Sequence, residues 1–192
     1  MSELAIRPMS VAEFLRWEDG TDTRYELVSG FPVAMAPRAE AHRLLATRLV
    51  ARIDAAVATR RPCNAQIEAG IIRSDRADSY LVADVAATCA PNERRRQEIR
   101  EPILIVEILS PGTERHDRLT KVPVYRNIDS VQEILLIDSE SVYAEVLRWE
   151  GDRWITALVR GQDAVLRLSS TDFAVPMSEL YDGIEIDAAA EP

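Results

Sequence analysis

Residues 103–110 read Ile-Leu-Ile-Val-Glu-Ile-Leu-Ser and run straight into Pro111-Gly112. No other stretch narrows the fold as much. A short apolar run closed by a turn signal reads as a strand buried on both faces, which requires structure on each side of a sheet. Side chains alternate along a strand, so one face carries Ile103, Ile105, Glu107 and Leu109, and the other Leu104, Val106, Ile108 and Ser110. Glu107 therefore shares its face with three large apolar groups. A carboxylate there is costly unless it is paired, protonated or bound to a cation. The bland alternative is that the strand end emerges into solvent.

The remaining elements fit round that strand. Ser10 and Glu13 have capping-box spacing, and the first helix is expected to run to about Gly20. Two short apolar runs flank Ser29-Gly30 and predict an N-terminal hairpin. From Ala39 to Arg60 there is no Gly or Pro, and Leu45, Leu49, Ile53 and Val57 recur at helical spacing, which predicts the main helix. Strands follow at Gln66–Arg73 and Ser79–Thr88, joined by a polar turn at Ser74–Asp78. Pro91–Glu101 is a charged loop or short helix with a solvated Arg94-Arg95-Arg96 run. Thr113 caps a helix to about Asn127, in which Pro123 predicts a kink between Lys121 and Tyr125. Val131–Asp138 returns as a strand, and Tyr143–Trp149 with Arg153–Val159 makes a C-terminal β-hairpin. Pro176–Tyr181 is a short apolar anchor. The expected fold class is α/β (α+β mixed): a mixed sheet flanked by helices, in one domain over residues 1–192, with its core at about 9–182 and a disordered acidic tail at about 187–192.

Composition removes several function classes. The net charge of −9 argues against a general polyanion binder, because phosphate affinity rests on Lys and Arg. It leaves room for an enzyme whose clustered carboxylates are negative until a metal binds. No apolar run is long enough to cross a bilayer, and the N-terminus lacks a signal-peptide pattern, so the expected location is cytoplasmic. Cys63 and Cys89 lack metal-ligand spacing and read as reduced, partly buried small side chains. An aromatic content of 6% leaves few sugar platforms for a glycosidase built on paired carboxylates. Of 23 basic residues only Lys121 is lysine, and lysine is a compact charge that Arg does not replace.

Asp84 stands in Leu-Val-Ala-Asp-Val-Ala, and Asp is unfavourable inside a strand. If its strand neighbours that of Glu107, the two carboxylates can meet on one hard cation such as Mg²⁺. Thr113, Asp117, Lys121 and Tyr125 are spaced by four along one helix face. There, Asp117 and Lys121 are either a surface ion pair or a charge held over the end of the strand. Glu26 and His42 are uninformative alone, and His116 receives no role.

Together Arg24-Tyr-Glu-Leu-Val-Ser-Gly, the histidine of Ala39-Glu-Ala-His42, Leu81-Val-Ala-Asp-Val-Ala, Ile105-Val-Glu-Ile-Leu-Ser-Pro and the Thr113–Tyr125 helix resemble the Uma2-like restriction endonucleases of the PD-(D/E)XK nuclease-like superfamily, over about residues 9–149. The resemblance implies a restriction-endonuclease-like mixed sheet. It implies a site of Glu26, Asp84 and Glu107 as metal-binding carboxylates with Lys121 as the catalytic lysine, and His42 and Tyr125 in support. It implies Mg²⁺ or Mn²⁺ as cofactor and nucleic acid, DNA ahead of RNA, as substrate, with a homodimer favoured by the need to cut two strands. Leu109 stands two residues after Glu107, so the Glu-X-Lys text is absent, and Ala83 replaces the usual Pro before the Asp. A nuclease-fold module that binds or regulates a partner without cutting is the alternative.

Overall fold

The computed structural model describes residues 7–72 and 78–186. Its chain order is α1 (Val11–Phe14), β1 (Tyr25–Val28), β2 (Phe31–Ala34), α2 (Glu40–Val57), β3 (Asn64–Ile72), β4 (Tyr80–Thr88), β5 (Pro102–Leu109), α3 (Glu114–His116), a π turn (Asp117–Lys121), α4 (Val122–Tyr125), β6 (Glu133–Asp138), β7 (Tyr143–Trp149), β8 (Trp154–Arg160), β9 (Val165–Leu168), β10 (Phe173–Pro176) and α5 (Met177–Leu180). The main sheet runs β2-β1-β4-β5-β6-β7-β8, with β3 also on β4; β9 and β10 form a separate pair. Among the described strands only β5 and β6 pair in parallel, joined by the α3–α4 crossover. The result is the expected mixed sheet with helices against it. No helix among the described residues is long and apolar enough to cross a membrane.

All eight residues of β5 are buried. Leu45, Leu49 and Ile53 of α2 lie against Leu104, Val106 and Ile108 on one face, each worth about 1.5–3 kcal/mol when fully buried. Ile105 and Leu109 pack on the other face with Tyr125, Ile134 and Leu136. Ser29 and Gly30 both have positive φ, the pair of conformations a two-residue hairpin turn demands, and glycine supplies the second without strain.

Several expectations need correction. The helix begun by the Ser10–Glu13 capping box ends at Phe14 rather than near Gly20; Trp17 turns instead to pack edge-on against Tyr25. Of the two alternatives for residues 91–101, the charged loop is the one observed. Ion pairs of Glu93 with Arg96 and Arg100 tie the segment locally, and the Ile99 N–H donates to Gly70 O at 2.8 Å, laying it beside β3. The β9–β10 hairpin is an addition to the expected elements; it takes up Pro176, and the anchor becomes β10 and α5. Cys63 and Cys89 are joined as a disulfide, because they flank the paired ends Asn64 and Thr88 of β3 and β4. The Ser74–Asp78 turn falls outside the described residues except for Asp78, and the tail at 187–192 falls outside them altogether.

Candidate active site

The site grows from a fork in the sheet. The β4–β5 ladder runs through Val85 and Val106 and no further. Beyond it β4 pairs instead with β1, through Leu27 and Tyr80. The backbone groups that the fork would orphan are taken by side chains. The Ile108 N–H donates to Asp84 Oδ2 at 2.8 Å. The Val82 N–H donates to Glu26 Oε1 at 2.7 Å, and Val82 O accepts from Lys121 Nζ at 3.0 Å. A buried polar group without a partner is costly, so these acidic and basic side chains close the fold as well as furnish the site.

Lys121 is the hub. Its Nζ lies 3.0 Å from Glu26 Oε1, 3.3 Å from Glu107 Oε2 and 3.3 Å from Asp117 Oδ1. It comes from the helix after β5 because of the π turn, closed by the Val122 N–H donating to Asp117 O. Pro123 has no N–H for the carbonyl four residues earlier, so a regular α-helix is interrupted here. A wide turn of this kind commonly marks a functional site. Sequence reasoning placed the disturbance after Lys121; the structure places it before. Leu109, two residues past Glu107, is core, and the ammonium that a Glu-X-Lys text would supply comes from the helix instead.

Glu107 is 1% exposed, Asp84 5% and Lys121 5%, which removes both the solvent-exposed reading of Glu107 and the surface-pair reading of Asp117–Lys121. Tyr125 donates to Glu107 Oε1 at 2.5 Å. Arg38 donates to Asp84 Oδ1 from Nη2 at 2.8 Å and from Nε at 3.1 Å. His42 Nε2 meets Asp84 Oδ2 at 3.1 Å, and its Nδ1 has no hydrogen-bond partner among the described residues. His116, given no role from sequence, stands 3.0 Å from Glu26 Oε2.

These contacts set the charge states. Burial pushes Glu107 well above the usual carboxylate range; Lys121 opposes it, and Asp84 and Asp117 add to it. Burial works to discharge Lys121, but Glu107, Glu26, Asp117 and Asp84 outweigh it and keep the ammonium charged. Burial also raises Asp84 and Glu26, yet both end below their ordinary values: His42, the Ile108 N–H and Arg38 hold Asp84 down, and His116, Lys121 and the Val82 N–H hold Glu26 down. Asp117 ends raised, with burial ahead of the opposing Lys121. Burial, with Glu107 beside it, keeps the Tyr125 phenol protonated as a donor.

The six residues singled out from sequence, Glu26, His42, Asp84, Glu107, Lys121 and Tyr125, thus come together. Arg38, Asp117 and His116 join them. A cavity of about 250 Å³ opens onto the group, lined by Glu26, Asp84, Glu107, Asp117, Lys121 and Arg38 among others. Four carboxyl groups and two permanent cations meet there, so hard oxygen donors dominate the lining. That donor set fits a hard divalent cation, which takes one or two carboxylates and leaves places for water and phosphate.

The family model described as "Uma2: Putative restriction endonuclease" matches residues 11–178. The chain belongs to the Uma2 family. Among curated relatives, "Uncharacterized protein slr1290" of Synechocystis sp. is 28% identical over 185 residues, covering 92% of this chain and 93% of the relative. "Uncharacterized protein sll1609" of the same organism is 26% identical over 171 residues, covering 84% and 93%. A crystal structure titled as "a putative nuclease belonging to DUF820", from Anabaena variabilis, superposes with a TM-score of 0.71 at 20% identity, covering 91% of this chain and 98% of that one. That likeness establishes a shared fold for the Uma2 chain.

Proposed function

We propose that this Uma2 protein is a metal-dependent nuclease that hydrolyses phosphodiester bonds of nucleic acid, DNA in the first place. The observation that carries the reading is the buried cluster of carboxyl groups at the sheet fork, open to a cavity and centred on one ammonium. Asp84 and Glu107 would hold Mg²⁺ or Mn²⁺, with Glu26 beside them. Bound there, a divalent cation supplies Lewis-acid charge and a more acidic water. The protein's own part is positioning and electrostatics. Tyr125 and the Ile108 N–H fix the rotamers of Glu107 and Asp84. Lys121, permanently charged, is no general base; it stabilises negative charge developing on the phosphoryl group. His116 lines the same cavity, where it can carry a proton.

One observation favours a second reading, a nuclease-fold module that binds without cutting. Each oxygen of Glu26, Asp84 and Glu107 already has a protein donor. No three acidic, His or Cys side chains among the described residues are grouped as an open metal cluster. A metal must therefore share those oxygens with a guanidinium, imidazole or ammonium contact, or displace it. Purified protein incubated with plasmid and short DNA in Mg²⁺ or Mn²⁺ should cut, and Glu107→Gln should not. Equal cutting by both would place the activity elsewhere or in a contaminant. Absence of a Mn²⁺-binding heat and of any metal-induced rise in melting temperature would favour the silent module.

A further inference from the structure

A second, larger cavity of about 790 Å³ adjoins the carboxylates and shares Arg38 and Asp84 with them. Two guanidiniums in its wall aim at one point: Arg24 Nη1 and Arg38 Nη1 each donate to Glu68 Oε1 at 2.5 Å. Glu68 falls between the register pairs Ile67–Val85 and Ala69–Ala83, directly across from Asp84. Its φ is 53°, in the left-handed region that a glutamate seldom enters and that costs about 1 kcal/mol or more. Such backbone persists where the surroundings over-determine it, and it gathers at ligand sites. Arg24 and Glu68 are both partly open to solvent, so core packing does not explain the arrangement. A single anionic oxygen between two guanidiniums is a place that a phosphodiester fills as well as a carboxylate does. Beside it Met35, Pro37 and the 51% exposed Ile67 form an apolar shelf.

The depth of the neighbouring carboxylates limits what can enter. With Asp84 and Glu107 almost fully buried, a phosphate must be drawn into a recess. A single strand bends into one readily, whereas a duplex presents its phosphates on a stiff rod. A net charge of −9 also argues against a broad basic face for a duplex.

We infer that the larger cavity seats the nucleotide next to the cleaved bond of a single nucleic-acid strand, its phosphate replacing the Glu68 carboxylate between Arg24 and Arg38 and its base lying on Met35 and Ile67. The inference rests on the nuclease reading for the chemistry at Asp84, but it is tested by binding alone. Glu68 is then a built-in competitor that keeps the two guanidiniums aligned until a phosphate displaces it. Arg24→Ala and Glu68→Gln should consequently shift affinity in opposite directions.

The experiment is fluorescence anisotropy in Ca²⁺ buffer with a labelled single-stranded oligonucleotide and a hairpin duplex of the same sequence. The single strand is expected to bind about tenfold more tightly than the duplex. Arg24→Ala should weaken single-strand binding about tenfold and lower the slope of log affinity against log salt by about one. Glu68→Gln should tighten it by about threefold or more. A preference for duplex, or unchanged affinity in both variants, overturns the subsite. If wild-type protein cuts DNA while both variants bind as wild type does, the nuclease reading stands and the subsite falls. If the variants shift binding as expected but nothing is cut in Mn²⁺, the subsite stands and the nuclease reading falls.

Discussion

Replacing Lys121 by methionine keeps most of the side chain's volume and removes the one charge common to Glu26, Glu107 and Asp117. Breaking a buried ion pair by deleting one partner costs about 3–5 kcal/mol. The lower end applies here, because two of the three carboxylates keep other donors: Val82 N–H and His116 for Glu26, and Tyr125 for Glu107. Glu107, already biased toward its neutral form by burial, can also shed its charge. For a chain of this length about 3 kcal/mol corresponds to about 6–12 °C of melting temperature. The pH dependence is the sharper signature. Folding raises the Lys121 pKa, so its contribution is complete below the unfolded lysine value of about 10.4 and is lost only as pH rises through the folded value. In the wild type it is therefore constant between about pH 5 and 8. Without the ammonium, the stranded carboxylates have raised values, the folded state binds protons that the unfolded state does not, and stability recovers as pH falls. Circular-dichroism melts of both proteins at about pH 8 and pH 5, at one salt concentration, measure this. A Lys121→Met protein that melts within about 1 °C of wild type, or with the same deficit at both pH values, would refute the picture of one ammonium supporting three buried carboxylates.

The same proton linkage gives Glu107→Gln the opposite sign. Burial first, then Asp84 and Asp117, raises Glu107, so wild-type stability falls as pH rises from the unfolded glutamate value toward the folded one. The amide should melt higher than wild type at about pH 8, by about 1 kcal/mol, and should lose that advantage near pH 4; a lower melting temperature at both would contradict it. The Cys63–Cys89 bond spans 26 residues of sequence, a closure worth about 3 kcal/mol. Reduction should lower the melting temperature by about 6–12 °C, whereas two titratable thiols in the native protein would show that the bond does not form.

The local parts of this structure are readable in sequence because they repeat. The α2 stripe, the Ser29-Gly30 turn, the Ser10–Glu13 box and the apolar run of β5 each follow from neighbours along the chain. The alternation of Val165–Leu168, with Leu166 and Leu168 buried, carries the same signal over too few residues to stand out. The fork is not readable, since it depends on which strands exchange partners at Val85. For that reason Arg38 and Glu68, ordinary charges on a loop and a strand, give no hint of meeting near Asp84. Nor can sequence separate Glu107 from Glu133. Both are buried strand glutamates, but Glu133 is closed off by Arg148 and by the backbone and hydroxyl of Ser170 and lines neither of the two site cavities. Before the fold is known, only the family pattern tells them apart.

The wide turn at Asp117–Lys121 holds one residue more than an ordinary helical turn, and the site's tolerance of chain length follows from it. Leu119 in that turn is 65% exposed, so the core gives little reason to keep it. Losing it would close the wide turn to an ordinary α-helical one, leaving Asp117 and Lys121 three residues apart instead of four and still on one face. The centre can therefore shed a residue on its outer surface and keep the ammonium among its carboxylates, whereas the same loss from a regular stretch of helix would turn every downstream side chain by about 100°.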